Sequence, residues 1–385
     1  MKKICVITGS RAEYGVLEPL LLKLEQSPHF ELFLVVTGSH LEKKYGLTIQ
    51  EIKKQHYKNI VQVAFPLKKD TPEYLLSSLG QAIPRFSKMF KKIQPDLLLF
   101  LGDRYELLAP VTAALLLNIP MAHLYGGELT FGAIDDSIRH MLTKASHLHF
   151  VSHDQAQKRV IQMGESPQRV FNVGSLSIDH IKKLTFMSQN QFEEKIGFKL
   201  RQKNLLVTFH PVTRESEAQN TRALKELLSA LNSLSDDYGI IITAANSDPM
   251  GKRFNQALFN FAAQKSNRVM HYSLGHELYL NAVRFCNVVV GNSSSGLIEV
   301  PSFQKPTINI GNRQLGRMRG DSVIDTQPLK KDILRAIQKA LKKNFSRLKN
   351  PYGDGKSTQR IVRVLTKMKD PRALLNKRFY DVSNR

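Results

Sequence analysis

Two sets of residues in this 385-residue chain have the types and spacing to do chemistry. The first is acidic. Asp103 follows the apolar run Leu97–Leu101, Glu128 follows Met121–Leu124 across Tyr125-Gly126-Gly127, and Asp135-Asp136 open a helical pattern with Arg139 and His140 one turn on. Carboxylates converging on one point suit abstraction and return of a proton, because neighbouring groups drive their pKa values apart. For Asp135 the plain alternative is a helix cap. Asp103, set between a buried strand and Arg104, is harder to explain as structure.

The second set suits an anion. In the stretch from Asn287 to Pro301, Val288–Val290 read as a strand, Gly291-Asn292 break it, and Ser293, Ser294 and Ser295 lead into a helical turn. Free N–H groups and the helix dipole at such a turn attract phosphate. Glu299, about one turn in, is placed to accept hydrogen bonds from ribose hydroxyls. Arg313, Arg317 and Arg319 share the loop Gly311–Gly320, and guanidinium groups suit phosphate. His210, before Pro211 at another strand end, can bond phosphate or donate a proton; a structural histidine is the alternative. The loop Gly9–Gly15, with Arg11, is a further candidate anion site between strand and helix. It has neither P-loop nor G-x-G-x-x-G spacing. No Gly-x-Ser-x-Gly elbow is present, and His147-x-His149 lacks a third ligand, so neither metal nor cofactor is expected.

These residues need strand ends to hold them. The first half alternates strand and helix: strands at 3–8, 30–37, 60–63, 96–101, 121–124, 149–151 and 170–173, with helices at 16–26, 41–54, 72–92 (Pro84 marking a kink or break), 105–117, 135–144 and 154–163. The more polar stretch 174–203 is a crossing. A second array follows, with strands at 205–209, 240–244, 269–272, 288–290 and 307–310, and the chain finishes in helices. The fold class is therefore α/β, two doubly wound Rossmann-like domains, with ligands at the carboxyl ends of the strands in a central cleft. Expected limits are 1–175, 176–365, and a helical tail 366–385 packing back on the first domain.

Composition narrows the partners. The formal charge is +23, and from Lys330 to Arg385 there are 17 Lys/Arg against 4 Asp/Glu. Those charges fall on amphipathic helical segments, and no zinc-finger spacing, RNP-like strand or Gly-rich arm accompanies them, so nucleic acid is not expected. A basic surface still draws in an anionic substrate. No apolar run approaches the ~20 residues that span a bilayer, and the N-terminus enters a strand without a signal-peptide pattern. Cys5 and Cys286, both at strand positions, suit a reducing cytoplasm.

Taken in order, these stretches resemble the UDP-N-acetylglucosamine 2-epimerase family. The matching motifs are Gly-Ser-Arg-Ala-Glu-Tyr-Gly (9–15), Gly-Asp-Arg-Tyr-Glu (102–106), Gly-Gly-Glu-Leu-Thr (126–130), Asp-Asp-Ser-Ile-Arg-His (135–140), His-Pro-Val-Thr (210–213), Gly-Asn-Ser-Ser-Ser-Gly-Leu-Ile-Glu-Val (291–300), Gly-Asn-Arg-Gln-Leu-Gly-Arg (311–317) and Tyr-Gly-Asp-Gly (352–355). The likeness is to the hydrolysing branch. It implies a GT-B-like fold and cleavage of a UDP–sugar bond with inversion at C2, through a glycal-like intermediate. UDP-N-acetylglucosamine is the expected substrate, giving UDP and N-acetylmannosamine; UDP-2,4-diacetamido-2,4,6-trideoxyglucose is the alternative. Arg11, His210, Ser293, Ser294, Glu299 and Arg313 match UDP positions, with Asn246 and His271 beside them and Arg104 added to the substrate-binding set. Asp103 and Asp135 match acid/base positions, and His210 is counted with them. Some members carry glutamate where this chain has Tyr125; either Glu128 covers that role here or the proton chemistry is divided differently. The resemblance also implies a homo-oligomer, dimer or tetramer. A GT-B glycosyltransferase is the more remote alternative, disfavoured by carboxylates in the first half. A non-enzymatic nucleotide or nucleic-acid binder would rest on charge alone.

Overall fold

The computed structural model describes residues 1–67, 71–131, 134–213, 215–245 and 250–382. The chain forms two compact units, Met1–His180 with Tyr352–Arg385, and Ile181–Pro351. Each is built on one parallel sheet.

In the first unit the strands are β1 (Lys2–Thr8), β2 (Phe30–Val36), β3 (Ile60–Gln62), β4 (Leu97–Leu101), β5 (Met121–Leu124), β6 (Leu148–Val151) and β7 (Val170–Asn172). Their order is β3-β2-β1-β4-β5-β6-β7. Successive strand residues face opposite sides of the sheet. Val6 therefore joins Leu17, Leu20, Leu21 and Leu24 of helix Arg11–Glu25 and Ile361 and Leu365 of helix Ser357–Lys367. Cys5 and Ile7 join Phe86 and Phe90 of helix Pro72–Ile93. Burial on both faces is what makes β4 an unbroken apolar run, each such side chain contributing about 1.5–3 kcal/mol. Register sets the site: Leu101 lies opposite Leu124, and Leu124 opposite Phe150. The residues after β4, β5 and β6 thus emerge side by side.

The second unit holds β8 (Lys203–Thr208), β9 (Tyr238–Thr243), β10 (Arg268–His271), β11 (Val288–Gly291), β12 (Thr307–Ile310) and β13 (Val323–Thr326), in the order β10-β9-β8-β11-β12-β13. Gly291 pairs with both Thr208 and Asn309, so β8, β11 and β12 end level. Only glycine fits at 291: φ is 146°, and a Cβ there would meet the Thr208 carbonyl oxygen at 1.8 Å.

Several elements differ from the sequence expectations. The first helix begins at Arg11, not Val16, because Ser10 caps it and Glu13 closes a capping box. Residues 41–54 hold only short turns and helix Ile49–Lys53. Helix Pro72–Ile93 runs through Pro84 without a break. The crossing contains helices Leu176–Lys183 and Gln189–Ile196, and β13 adds a strand. The chain passes from one unit to the other at 180/181 and returns at 351/352, rather than at 175 and 365. The return is early because Tyr352 is buried in the first unit and Asp179 accepts the Ser357 and Thr358 N–H groups at 2.9 and 2.6 Å. The tail has one short helical turn, Pro371–Leu375. Beyond it, Lys377 reaches Glu165 at 2.9 Å and Tyr380 N–H bonds the Gly164 carbonyl. Among the described residues no helix is long and apolar enough to cross a membrane.

Candidate active site

In the first unit the acidic set gathers around an arginine. Arg139, on helix Ile134–Ala145, is buried. One terminal nitrogen donates to the Glu128 carbonyl at 2.8 Å and to Asp136 Oδ1 at 3.0 Å. The other is ion-paired with Asp103 and donates to Thr130 Oγ1 at 2.9 Å. One planar fork therefore fixes the loops after β4 and β5 against the helix that carries Asp135. Asp136, not Asp135, performs the structural work at this helix start, also accepting the Thr130 N–H at 2.6 Å. The Asp135 carboxyl is pushed above its ordinary pKa by burial and by Asp103. Arg139 was not among the expected site residues; its place one turn after the aspartates was the available signal.

His123 supports the same loop. Burial pushes it down to about 3, so it is neutral. Its Nε2 is 2.7 Å from the Gly102 carbonyl and its Nδ1 3.1 Å from Thr143 Oγ1. A carbonyl only accepts, so the ring hydrogen is on Nε2, and it pins Gly102, the residue before Asp103.

Other first-unit expectations change. The Gly9–Gly15 loop is not an open anion cradle: the Glu13 carboxylate accepts the Gly9 and Ser10 N–H groups at 2.7 and 3.1 Å. Burial, against those N–H groups, pushes this acid up to about 7. Arg11 projects outward, 69% exposed, 3.6 Å from Glu51. Arg104 turns its fork onto Glu106, at 3.2 and 2.5 Å. Burial disfavours the Arg104 charge, but Glu106 outweighs it and raises its pKa. Tyr125, the residue at the variable family position, is engaged by the segment at 175–176: its hydroxyl bonds Ser175 Oγ at 3.0 Å and accepts the Leu176 N–H at 2.7 Å. His147 accepts the Met121 N–H, and His149 bonds Glu165.

In the second unit the hub is Asn292, which is buried. Its side chain accepts the His210 N–H and donates to the His210 carbonyl, both at 2.8 Å. Its own carbonyl accepts from Gln314 Nε2 at 2.9 Å and from Arg313 Nη1 at 3.2 Å. Asn292 thus joins His210 and Arg313 beside Ser293 and Ser294. The helix after the serines is only Ser295–Ile298, stopped by Pro301, which has no N–H. The expected dipole is therefore small, and positive charge at this turn comes from Arg313. Ser295 is turned aside, donating to Tyr279 OH at 2.6 Å. Glu299 stands 3.4 Å from His276 Nε2. His271 ends β10, and burial lowers its pKa. Arg319 is engaged by Asp325 at 2.9 Å. Asn246 lies outside the described residues.

Two doubly wound parallel sheets with polar clusters at their strand ends define a nucleotide-binding α/β class. A family model described as UDP-N-acetylglucosamine 2-epimerase matches residues 22–366. The chain is 38% identical over 385 residues to a GDP/UDP-N,N'-diacetylbacillosamine 2-epimerase (hydrolyzing) of Campylobacter jejuni, covering 99% of each. It is 33% identical to a UDP-N,N'-diacetylbacillosamine 2-epimerase (hydrolyzing) of Legionella pneumophila, covering 98% of this chain and 99% of that one. Among solved structures, UDP-GlcNAc 2-epimerase from Neisseria meningitidis bound to UDP-GlcNAc matches with a TM-score of 0.77 at 17% identity, over 96% of this chain and 100% of that one. At that identity the likeness speaks for the fold. The chain belongs to the UDP-N-acetylglucosamine 2-epimerase family, on its hydrolysing branch, and is an enzyme.

Proposed function

We propose that the enzyme hydrolyses UDP-2,4-diacetamido-2,4,6-trideoxyglucose with inversion at C2, releasing UDP and the free 2-epimeric sugar. This is the diacetylbacillosamine nucleotide named for the Campylobacter and Legionella relatives, and the 38% full-length identity to the Campylobacter relative supports it over UDP-N-acetylglucosamine, which becomes the second reading. The observation that carries the chemistry is the gathering of Asp103, the Glu128 loop and the Asp135 helix on Arg139.

The second unit takes the UDP: Ser293, Ser294 and Arg313 the diphosphate, Glu299 the ribose, and His271 and Asn246 the rest of the nucleotide. The first unit takes the sugar. Asp103 removes the C2 proton while the C1–O bond to UDP breaks. The electrons of the C2–H bond become the C1=C2 bond of a glycal, and UDP leaves with the electrons of C1–O. Because C2 has no adjacent carbonyl, stabilising the departing diphosphate supplies much of the activation. His210, held by Asn292, and Arg313 serve that charge. Water then adds its oxygen to C1, and a proton returns to C2 on the opposite face. Asp135, with its raised pKa, is suited to carry that proton, and Glu128 receives the one lost by water. Arg11 and Arg104 remain in the substrate set as first-unit residues that exchange their present carboxylate partners for the UDP-sugar once it is bound. The enzyme works in the cytoplasm as a homo-oligomer without metal or cofactor.

Incubation with each of the two UDP-sugars, with the product followed by NMR, tests this. Faster release of the free 2-epimer from the diacetamido sugar supports the assignment. Turnover of UDP-N-acetylglucosamine alone reverses it, and transfer of the sugar to an acceptor defeats both.

A further inference from the structure

The Glu128 loop has two more neighbours, on the next strand. β6 ends at Val151, and Ser152 and His153, both buried, follow it. Ser152 Oγ donates to Glu128 Oε1, and His153 Nε2 stands 3.4 Å from the same oxygen. The other ring nitrogen of His153 is already committed. Nδ1 accepts the Ala156 N–H at 3.2 Å, as the N-cap of helix Asp154–Gln162. An imidazole that accepts at Nδ1 carries its hydrogen on Nε2; that nitrogen lies within ion-pair range of the carboxylate, but it makes no hydrogen bond among the described residues.

The surroundings hold this ring and the loop in one frame. The Tyr352 ring packs edge-on against His153, centroids 5.4 Å apart at 89°. The loop backbone lies on the same helix: φ at Gly127 is 76°, and a Cβ there would meet the Ala156 carbonyl oxygen at 2.4 Å. Arg159, further along this helix, donates to the Gly127 carbonyl at 2.9 Å. A side chain longer than hydrogen at 127 would lift the loop away from the capped turn.

We propose that Ser152 and His153 are positioning residues for Glu128: Ser152 holds the carboxylate by its hydrogen bond, and His153, its tautomer fixed by the helix cap, keeps an Nε2–H within reach to take up the same oxygen when the carboxylate shifts in the reaction. The inference rests on reading Glu128 as a proton-handling group. Such groups work only when held near their productive geometry by a second set of contacts.

Two variants separate this role from plain structure. His153→Asn keeps a good N-cap acceptor but is too short to reach Glu128, and Ser152→Ala removes the second donor. Each is expected to keep the thermal midpoint, the KM and the dissociation constant for UDP near those of the parent, while kcat falls about tenfold or more, as for loss of one hydrogen bond to a charged group. Nitrogen-15 NMR of the histidines in the unaltered enzyme reads this arrangement without turnover: His153 should show the Nε2–H tautomer, and its Nε2–H signal should move in Glu128→Gln. Parental kcat in both variants, equal losses in kcat and UDP binding, or an Nδ1–H tautomer overturns the positioning role. If the unaltered enzyme shows the expected tautomer yet turns over no UDP-sugar, the arrangement stands and the functional reading fails.

Discussion

Replacing Arg139 by lysine tests how the acidic set is held. The guanidinium makes four contacts, to Asp103, Asp136, the Glu128 carbonyl and Thr130 Oγ1, from a side chain only 2% exposed. A lysine ammonium keeps the charge but not the planar fork, and reaches about half of these partners. Hydrogen bonds to charged groups contribute about 1.5–3 kcal/mol each, so two lost bonds remove at least about 3 kcal/mol. Expressed in the transition state, that is about a hundredfold in kcat. UDP binding, assigned to the second unit, should not change. The assay is steady-state turnover beside calorimetric titration with UDP and a thermal melt of the same samples. An R139K enzyme with parental kcat, or one whose UDP affinity falls in step with kcat, refutes the reasoning. Arg139→Met is the harsher version. It leaves Asp103 and Asp136 without their cation, and breaking such a buried pair costs about 3–5 kcal/mol, so the melt itself should drop.

Asp103→Asn keeps an acceptor for Arg139 but removes one of its two carboxylate partners, so the melt should fall, by less than in Arg139→Met, while kcat drops about a hundredfold or more, since removing the base abolishes a general-base contribution of about 10²–10⁴; parental turnover would remove Asp103 from the chemistry. Asn292→Ala removes both bonds to the His210 backbone and should weaken UDP binding at least tenfold while the first-unit carboxylates stay in place, checked by titration with UDP. Glu165 is held down to about 2: burial alone would raise it, but His149, Lys144 and Lys377 outweigh that. Its folded pKa lies below the unfolded value, so its stabilisation is present above about pH 4.5 and is lost as pH falls towards 2. Glu165→Gln should therefore cost about 3–5 kcal/mol near pH 7 and much less near pH 2, read by denaturant unfolding at both values.

The strand ends were legible because central parallel strands are buried on both faces and read as apolar runs. β4 and β11 stand out for that reason, and Asp103, His210 and Gly291 were found as the residues just beyond such runs. Partners distant in sequence were not legible. Asn292 and His210 are 82 positions apart, and only the β8–β11 pairing brings them together. Arg139 reaches back 36 positions to Asp103, a contact that no helical period reveals. The Gly9–Gly15 loop looked open because its glycines and serine suit an anion; the chain fills the place with its own Glu13. The helical turn after the serines was legible, but its weak dipole was not: Pro301 ends the helix after one turn.

The most direct test of the central claim is turnover of UDP-2,4-diacetamido-2,4,6-trideoxyglucose in deuterium oxide, with proton NMR of the released sugar. The account predicts stoichiometric UDP and a free sugar inverted at C2 that carries deuterium there. Release of UDP with the C2 hydrogen and configuration retained would contradict it.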